Sequence, residues 1–302
     1  MLTNEQLQAR KKGIGGSDAA AVCGLDIYRS PLDVFLEKTG QVESQDISHK
    51  NCIKYGNFFE DFVANLYAHE RGVIVRKCNK TLVHPRYEWM IANIDRRVVG
   101  QKLVLECKTA SVFGAKQWGE DDSDYIPDNY LMQVAHYAAV CDVPKVDVAV
   151  YFTDHRFKIC TYNRNLKLEK QLIEIERNFW EEHVLKGNPP AAKNMDDIKR
   201  LFPETDNSAL LASKELTEQI EDYKCVQEQM KELDKQLKGI KTAICSKMGL
   251  ASVLQDAVGN KLATWGLRES SRLDTTRLKK EHPELYKQYC KKSASRYFTI
   301  KD

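Results

Sequence analysis

A carboxylate and an ammonium group stand one residue apart at the end of an apolar run in the stretch LVLECKTA. They are Glu106 and Lys108, and the residues before them are Leu103, Val104 and Leu105. Because side chains alternate across a β-strand, residues two apart share one face. The pair is therefore either a solvated ion pair on an exposed strand or half of an active site.

The segment before this pair reads as the other strand of a β-hairpin with a two-residue turn, Gly100-Gln101. Glycine in the first position suits a type II′ turn. In that register the numbers of paired residues add up to 201, which places Asp95 opposite Glu106 and Asn93 opposite Lys108. Opposed carboxylates destabilise a sheet unless something compensates, as a divalent cation bound by both would do. Oxygen ligands favour Mg²⁺ or Mn²⁺. An exposed hairpin with unrelated charges, or one with a bulge after Asp95, remains the alternative.

A long helix predicted over residues 50–71 supplies another carboxylate. The helical neighbours of Glu60, at positions 53, 56, 63, 64 and 67, are small or apolar, so Glu60 should face the interior. Asp61 lies on a more polar stripe and should face water. An inward carboxylate needs a metal ion or a partner, and a capped or salt-bridged core glutamate satisfies that need as well as a metal site does.

The helix predicted over 128–141 carries a polar and aromatic face. Gln133 has Tyr130 three residues before it, and His136 and Tyr137 follow at three and four residues. Side chains at these spacings are neighbours on a helix. The face could position a water molecule, a base or a phosphate, or it could be the polar edge of a half-buried helix.

A glycine pair opens a short helix near the N-terminus, in GGSDAAAVCG, with Ser17 or Asp18 as the expected N-cap and Gly24 as the terminator. Free N–H groups and the positive dipole end of a helix attract anions. With the hydroxyl of Ser17 and the nearby Arg10, this segment is either a phosphate pocket or an ordinary capped helix. Asp18 would repel phosphate, so we assign it to capping.

Composition narrows the class of protein. The 302 residues are 42% hydrophobic and 29% charged, which is ordinary for a folded domain. No apolar run approaches the roughly 20 residues that span a bilayer, and the N-terminal residues lack the apolar centre of a signal peptide, so a cytoplasmic protein without membrane contact is expected. Nine scattered cysteines without a CxxC pair argue against disulfides and against zinc or iron–sulfur sites. Residues 268–302 hold ten basic and five acidic residues, which fits nucleic-acid binding or a solvated surface.

The order of patterns predicts an α/β domain with a mixed sheet over residues 1–190. A linker is expected over 191–212, where GNPP leads into a polar stretch. Residues 213–248 have the three-and-four spacing of a coiled-coil helix, which must dock onto this chain or another copy. The expected second region, 213–302, combines that helix with a small basic α+β extension.

Five segments taken in order resemble a known family. GIGGSDAAAVCGLDIYRSPLDVFLEKTG (13–40), YGNFFED, ANIDRRV, ECKTA and QVAHYAAV are similar to the YqaJ-type phage recombination exonucleases. These are lambda-exonuclease-like members of the PD-(D/E)XK nuclease superfamily. The resemblance covers about residues 10–185, and the "PD" of the superfamily is reduced here to Ile94-Asp95.

The resemblance implies a PD-(D/E)XK core that digests one strand of linear duplex DNA in the 5′→3′ direction. It also implies a trimeric ring, a RecT-like single-strand annealing partner and action in a bacterial host cell. Two Mg²⁺ or Mn²⁺ ions are implied, and the ligands would be Glu60, Asp95, Glu106 and the carbonyl of Cys107. The implied catalytic residues are Asp95, Glu106, Lys108 and Gln133. The 5′-phosphate and DNA-binding residues would be Arg10, Ser17 and Tyr137. A sequence- or structure-specific endonuclease on the same core and a non-catalytic DNA-binding or assembly protein are the alternatives.

Overall fold

A computed structural model describes residues 4–43, 49–291 and 295–301. The chain divides into two units, Met1–Leu201 and Phe202–Asp302. The α-helices of the first unit are α1 Asn4–Lys11, α2 Gly16–Val22, α3 Pro31–Lys38, α4 Asn51–Arg71, α5 Asp128–Cys141, α6 Leu166–Asn178 and α7 Met195–Leu201. Its strands are β1 Ile14–Gly15, β2 Val75–Lys77, β3 Leu82–Val83, β4 Met90–Ala92, β5 Arg96–Val98, β6 Leu103–Ala110, β7 Lys145–Phe152 and β8 Phe157–Asn163. A 3₁₀-helix spans Val112–Trp118, and a π-helix, Phe179–Leu185, continues α6.

The centre of the first unit is a five-stranded sheet in the order β2-β5-β6-β7-β8. β6 and β7 are parallel, and the other neighbours are antiparallel. α4 packs Val63 and Tyr67 against Leu105 on one face, while α5 packs Val134 in the same core as Val104 on the other face. Successive β6 residues thus bury opposite faces of the sheet, and the expected mixed α/β architecture is confirmed.

The hairpin register deduced from the sequence is confirmed where the strands pair. Arg96 pairs with Leu105 and Arg97 with Val104, so the numbers add up to 201 as expected. The turn differs. Gln101 donates its N–H to the carbonyl of Val98, and Gly100, the third residue of this turn, has a φ of 77°, as a type II turn requires.

The single hairpin strand expected before the Gly100 turn is wrong, because β4 and β5 belong to different sheets. β4 lies in a small sheet of order β1-β4-β3, and the chain crosses to the central sheet between Ala92 and Arg96. Asn93 therefore does not lie opposite Lys108; it accepts hydrogen bonds from the hydroxyls of Thr81 and Tyr137. Asp95 sits at the crossing itself, immediately before β5.

The N-cap of helix α2 lies two or three residues before the expected Ser17 or Asp18. Gly15 is the N-cap, with extended backbone, and Asp18 at the third helical position accepts the Gly15 N–H at 3.1 Å. Ser17 or Asp18 as N-cap is therefore wrong in position, although Asp18 does serve the helix start. Helix α3 is capped by Ser30, which accepts the Asp33 N–H, and Pro31 follows at the first helical position.

The first unit extends beyond the expected boundary at residue 190. The buried carboxylate of Asp197, on α7, accepts the Ser30 hydroxyl at 2.8 Å and the Lys193 N–H at 2.9 Å. These bonds tie α7 to the start of α3. Residues 195–201 therefore belong to the packed unit and not to a linker.

The second unit is dominated by one helix, α8 Lys214–Met248, which matches the predicted helix within a residue. A two-stranded antiparallel sheet follows, β9 Val253–Gln255 with β10 Lys261–Thr264, and then α9 Thr275–Glu281 and α10 Pro283–Tyr289. Residues 295–301 form no strand. In the part of the chain that the structure describes, no helix is both long and apolar enough to cross a bilayer.

Candidate active site

A cleft of about 290 Å³ lies between helix α4 and strand β6. Its charged lining comes from Glu60 on α4, from Asp95 at the crossing and from Glu106 and Lys108 on β6. The remaining lining residues are Cys52, Ile53, Gly56, Asn57, Val63, Cys107 and Thr109. Four groups predicted from the sequence are thus collected in one concavity.

Glu106 is the most buried carboxylate of this cleft, with 4% of its surface exposed. Its Oε1 accepts hydrogen bonds from the ammonium of Lys108 at 2.6 Å and from the side-chain amide of Gln133 at 2.8 Å. Its Oε2 is buried and has no hydrogen-bond partner in the described structure. A buried carboxylate oxygen left in this state is costly, since burial removes its hydration without replacement.

The Asp95 carboxylate faces the same cleft. Its Oδ2 accepts the backbone N–H of Cys107 at 2.8 Å, which anchors the crossing to the central strand. Burial raises the pKa of Asp95 well above its usual range, and the Glu106 carboxylate raises it further, against the opposing effects of Lys108 and the Cys107 N–H. Two carboxylates therefore compete for one positive charge.

Lys108 supplies that charge. Burial alone would lower its pKa, but the carboxylates of Glu106 and Asp95 outweigh burial and raise it. Its ammonium also lies 5.0 Å from the centre of the Tyr130 ring, within cation–π range, and donates to the amide oxygen of Gln133 at 3.0 Å. The lysine is therefore protonated and held from three sides.

Glu60 faces inward, as helix phasing predicted, but it has a protein partner. Its Oε1 accepts a hydrogen bond from the guanidinium of Arg96 at 2.6 Å and lies 3.4 Å from the ammonium of Lys77. The same guanidinium also bonds Asp61, whose side chain is 77% exposed. These contacts therefore match the alternative in which Glu60 is a salt-bridged glutamate.

The donor set fits a divalent cation at Asp95 and Glu106. Both carboxylates line the cleft, one of their oxygens is buried without a partner among the described residues, and their mutual repulsion raises the Asp95 pKa. A hard cation would satisfy that oxygen and offset the repulsion. Within residues 4–43, 49–291 and 295–301, no three His, Cys, Asp or Glu side chains are grouped closely enough to hold a metal. A third carboxylate ligand therefore requires Glu60 to leave Arg96.

Tyr137 lies beneath this cleft and not on the surface. Its hydroxyl accepts the Gln133 amide at 2.9 Å and donates to the Asn93 carbonyl at 3.0 Å, and its surface is only 4% exposed. A Cβ on Gly16 would come within 2.4 Å of the Tyr137 ring. The start of α2 therefore packs directly on the residue that holds Gln133.

Arg10 and Ser17 form a separate polar pair at the start of α2. Arg10 donates to the exposed Ser17 hydroxyl at 2.7 Å. Asp18 is fully buried beside them and bonds Lys38 at 2.7 Å and Arg29 at 2.9 Å. Burial would raise its pKa, but Lys38, Arg10 and Arg29 hold it well below its usual range. The negative charge of Asp18 is thus compensated internally, and Ser17 remains accessible.

His136 does not share the cleft with Gln133. It is fully buried on the far side of α5, where one ring nitrogen lies 2.8 Å from a carboxylate oxygen of Glu176 and the other donates to the Ile91 carbonyl at 2.8 Å. This pair joins α5, α6 and β4. The polar face expected on the helix is therefore divided between the cleft and a structural contact.

Comparison with known proteins agrees with this geometry. Residues 5–144 match the model of the YqaJ-like viral recombinase domain. An uncharacterized protein YqaJ of Bacillus subtilis (strain 168) is 34% identical over 309 residues, covering 100% of this chain and 95% of the relative. The chain belongs to the YqaJ family.

Solved structures share the fold of this YqaJ-family chain. An alkaline exonuclease (LHK-Exo) from Laribacter hongkongensis aligns with a TM-score of 0.50 at 18% identity, covering 66% of this chain and 97% of that one. Its complex with dAMP aligns with a TM-score of 0.51 over the same shares. The family and fold predicted from sequence motifs are confirmed.

Sequence reasoning about this YqaJ-family chain missed Arg96 as the partner of Glu60. The signal was present, because an arginine directly follows Asp95 in ANIDRRV and an inward glutamate needs a positive partner. It also missed the support that Tyr137 gives from below, which depends on the glycine at position 16. That support depends on a contact between α2 and α5, about 120 residues apart in the sequence.

Proposed function

We propose that this protein is a metal-dependent deoxyribonuclease that digests one strand of linear duplex DNA from its 5′ end. The observation that carries the proposal is the arrangement of Asp95, Glu106 and Lys108 around a buried carboxylate oxygen without a partner. A protein that only bound DNA would have no need for two carboxylates that repel each other in a cleft. The family and the exonuclease fold support the same reaction class.

The residues that would hold metal are Asp95, Glu106 and the backbone carbonyl of Cys107, with Glu60 joining when it leaves Arg96. Mg²⁺ or Mn²⁺, as two ions in the full site, would supply Lewis acidity and a water nucleophile for phosphodiester hydrolysis. The groups of the chain then do the positioning. Asp95 is fixed by the Cys107 N–H, and Glu106 by Lys108 and Gln133.

Lys108 orients the attacking water and offsets charge on the phosphate. Its raised pKa keeps it as an ammonium, so it acts as a hydrogen-bond donor before it could act as a base. Gln133 connects Lys108 to Glu106, because its amide nitrogen donates to the glutamate and its oxygen accepts from the lysine. This network holds the ammonium near the position where negative charge develops.

Arg10 and Ser17 would bind the 5′-phosphate of the strand end. Arg10 carries a positive charge and touches the exposed hydroxyl of Ser17, and neutralisation of Asp18 by Lys38 and Arg29 removes the main repulsion. Tyr137 contributes from beneath, by supporting the backbone of Gly16. Because Tyr137 is buried, it would act by supporting this backbone and not by touching DNA.

The family supports a wider setting. We propose that the protein works in the bacterial cytoplasm in phage-type recombination, as a ring-shaped trimer that encircles the duplex. A RecT-like annealing protein would receive the single strand that digestion exposes. These features rest on the resemblance to phage recombination exonucleases and are independent of the chemistry of the cleft.

The deciding experiment is digestion of end-labelled duplexes with Mg²⁺. We expect linear DNA with 5′-phosphate ends to be degraded, 5′-hydroxyl ends to be cut more slowly, and closed circles to survive. A chelator should stop the reaction. Cleavage of closed circles would favour an endonuclease instead, and DNA binding without cleavage of any substrate would contradict a nuclease.

The end-recognition part of the proposal has its own variant. Arg10→Gln should reduce the ratio of rates on 5′-phosphate and 5′-hydroxyl ends by roughly 10–150-fold, since a charged hydrogen bond to phosphate is worth about 1.5–3 kcal/mol. Lys11→Gln, next to it on an exposed position, is the matched control and should keep the ratio. An unchanged ratio in Arg10→Gln would mean that this segment is an ordinary capped helix that does not bind the 5′-phosphate.

A further inference from the structure

Helix α8 carries an apolar stripe that the second unit leaves open to solvent. At its centre Met230, Leu233 and Leu237 expose 65%, 63% and 64% of their surface. The stripe consists of Leu216, Ile220, Tyr223, Val226, Met230, Leu233, Leu237, Ile240 and Ile244. At about 1.5 Å per residue it runs roughly 42 Å along the helix. Eight of these nine residues are exposed and Ile220 is half-buried. An exposed apolar stripe of this length is typical of an interaction surface.

The spacing of the stripe is nearly symmetrical about Met230. Tyr223 and Leu237 lie seven residues from it on either side, and Ile220 and Ile240 lie ten residues away. Leu216 and Ile244 lie fourteen residues away, and Val226 and Leu233 deviate by one residue. A second copy of the helix running in the opposite direction, with Met230 opposite Met230, would therefore place apolar side chains against apolar side chains along the whole stripe.

The charges of α8 reverse at the same residue. Between Lys214 and Gln229 there are two lysines and five acidic residues, whereas between Lys231 and Met248 there are five lysines and two acidic residues. The two halves thus carry formal charges of −3 and +3. In an antiparallel pair each acidic half would lie along a basic half, and Asp222 would lie opposite Lys238. In a parallel pair like charges would lie together, which disfavours that arrangement.

Charge and spacing together select the occupant of the stripe. A partner helix must be apolar along the same length and must reverse its charge in the opposite order, and a second copy of α8 meets both conditions. We propose that α8 is a self-association surface, on which two copies of this chain pair antiparallel about a two-fold axis beside Met230. Such a contact is isologous and closes on itself.

The C-terminal segment leaves room for this partner. The Phe298 ring meets the Tyr223 ring edge-on, with 5.9 Å between the centroids. Tyr223 nevertheless exposes 48% of its surface and Phe298 67%. This contact lies toward one end of the stripe, away from the two-fold centre, so a second helix can extend the same apolar cluster.

The first test is the mass of the full-length protein by sedimentation velocity. Met230→Glu puts a charge at the two-fold centre, where two copies would face each other, and should halve the mass of the assembly, whether the first unit is a monomer or a trimer. Thr242→Glu adds the same charge on the opposite side of α8 and should leave the mass unchanged. Circular dichroism checks that α8 remains helical in both variants.

The second test reads the direction of the pair, in a background with Cys225→Ser and Cys245→Ser. Leu216→Cys and Ile244→Cys proteins should form a 216–244 cross-link with a short bis-maleimide when they are mixed, and neither should cross-link at these positions alone. Peptide mapping identifies the linked residues.

Charge reversal provides a further test by rescue. Asp222→Lys and Lys238→Asp should each weaken association, and the double variant should restore it.

Two results would overturn the proposal. One is a wild-type mass that Met230→Glu leaves unchanged while the helix stays folded, which would mean that α8 packs within its own chain or on another protein. The other is cross-linking of Leu216→Cys to itself, which would mean a parallel arrangement. Neither result depends on nuclease activity, so this proposal can fail while the proposed function stands.

Discussion

The ammonium of Lys108 lies 2.6 Å from one oxygen of Glu106, while the other oxygen of that carboxylate is buried and, among the described residues, lacks a hydrogen-bond partner. The lysine thus pairs with one oxygen of the Glu106 carboxylate, while the other oxygen faces the cleft. Asp95 adds a second carboxylate to the same cleft. The site is short of positive charge, and this shortage underlies the first two predictions below.

Replacing the lysine tests the assigned chemistry. Lys108→Met keeps most of the side-chain volume but removes the donor, so single-turnover cleavage should fall by at least about 10²–10³-fold, while DNA binding measured by a mobility shift should persist. Lys116→Met, at an exposed position in the 3₁₀-helix, is the matched control. Cleavage at the wild-type rate by Lys108→Met would remove this residue from the mechanism.

Metal binding should be visible without any DNA. Because Mg²⁺ or Mn²⁺ would bind the folded cleft and not the unfolded chain, a concentration 100 times the Kd should stabilise the protein by about 2.7 kcal/mol. Glu106→Gln removes a ligand charge and should abolish the metal-dependent rise in Tm. Asp122→Asn, which changes an exposed carboxylate, should keep it. A metal-dependent rise that survives in Glu106→Gln would locate the cation elsewhere.

The contact between α2 and α5 can be tested with one methyl group. Gly16→Ala would place a Cβ 2.4 Å from the Tyr137 ring, so the ring must move and its bonds to Gln133 and Asn93 must distort. We expect a loss of about 1–3 kcal/mol in the free energy of unfolding, together with slower cleavage. Gly239→Ala, in α8, meets nothing within 4 Å and should gain about 0.5–1 kcal/mol. Equal denaturant midpoints for the two variants would contradict the close packing.

The buried pair of His136 and Glu176 should make stability depend on pH. Burial alone would lower the pKa of His136, but the Glu176 carboxylate and the Ile91 carbonyl raise it above its ordinary value of 6.5. A raised folded-state pKa means that the stabilisation is fully present below about pH 6.5 and is lost as the pH rises through the folded-state pKa. Urea unfolding should therefore show wild-type stability falling over this range.

The variant His136→Gln isolates that contribution. It should lose about 3–5 kcal/mol at low pH, because Glu176 is left buried without its charged partner, and the difference from wild type should shrink as the pH rises. His69→Gln, whose native side chain is 87% exposed, is the control and should follow the wild-type curve. A difference that is constant between pH 6 and 9 would mean that the pair does not titrate in this range.

Local patterns in the sequence were sufficient for much of the fold. The spacing of apolar residues predicted α4, α5 and α8 closely, since helix periodicity depends on neighbours within a few turns. The hairpin arithmetic predicted the register of β5 and β6, because a tight turn leaves few ways to pair its strands. The inward direction of Glu60 and the proximity of Asp95, Glu106 and Lys108 follow from these two local rules.

Other features were decided only by contacts between distant segments. The break between β4 and β5 arises because each strand finds its partners in a different sheet, and the turn at Gly100 lies one residue earlier than expected. Packing between elements that are distant in the sequence made Arg96 the partner of Glu60. The same kind of packing buried Tyr137 under Gly16. The sequence by itself thus determined which side chains could do the chemistry, and it determined the faces of Glu60, Glu106 and Lys108, because those follow from local helix and strand periodicity. The tertiary structure decided which charges are compensated and which oxygen remains without a partner, because desolvation and pairing depend on the whole surrounding shell.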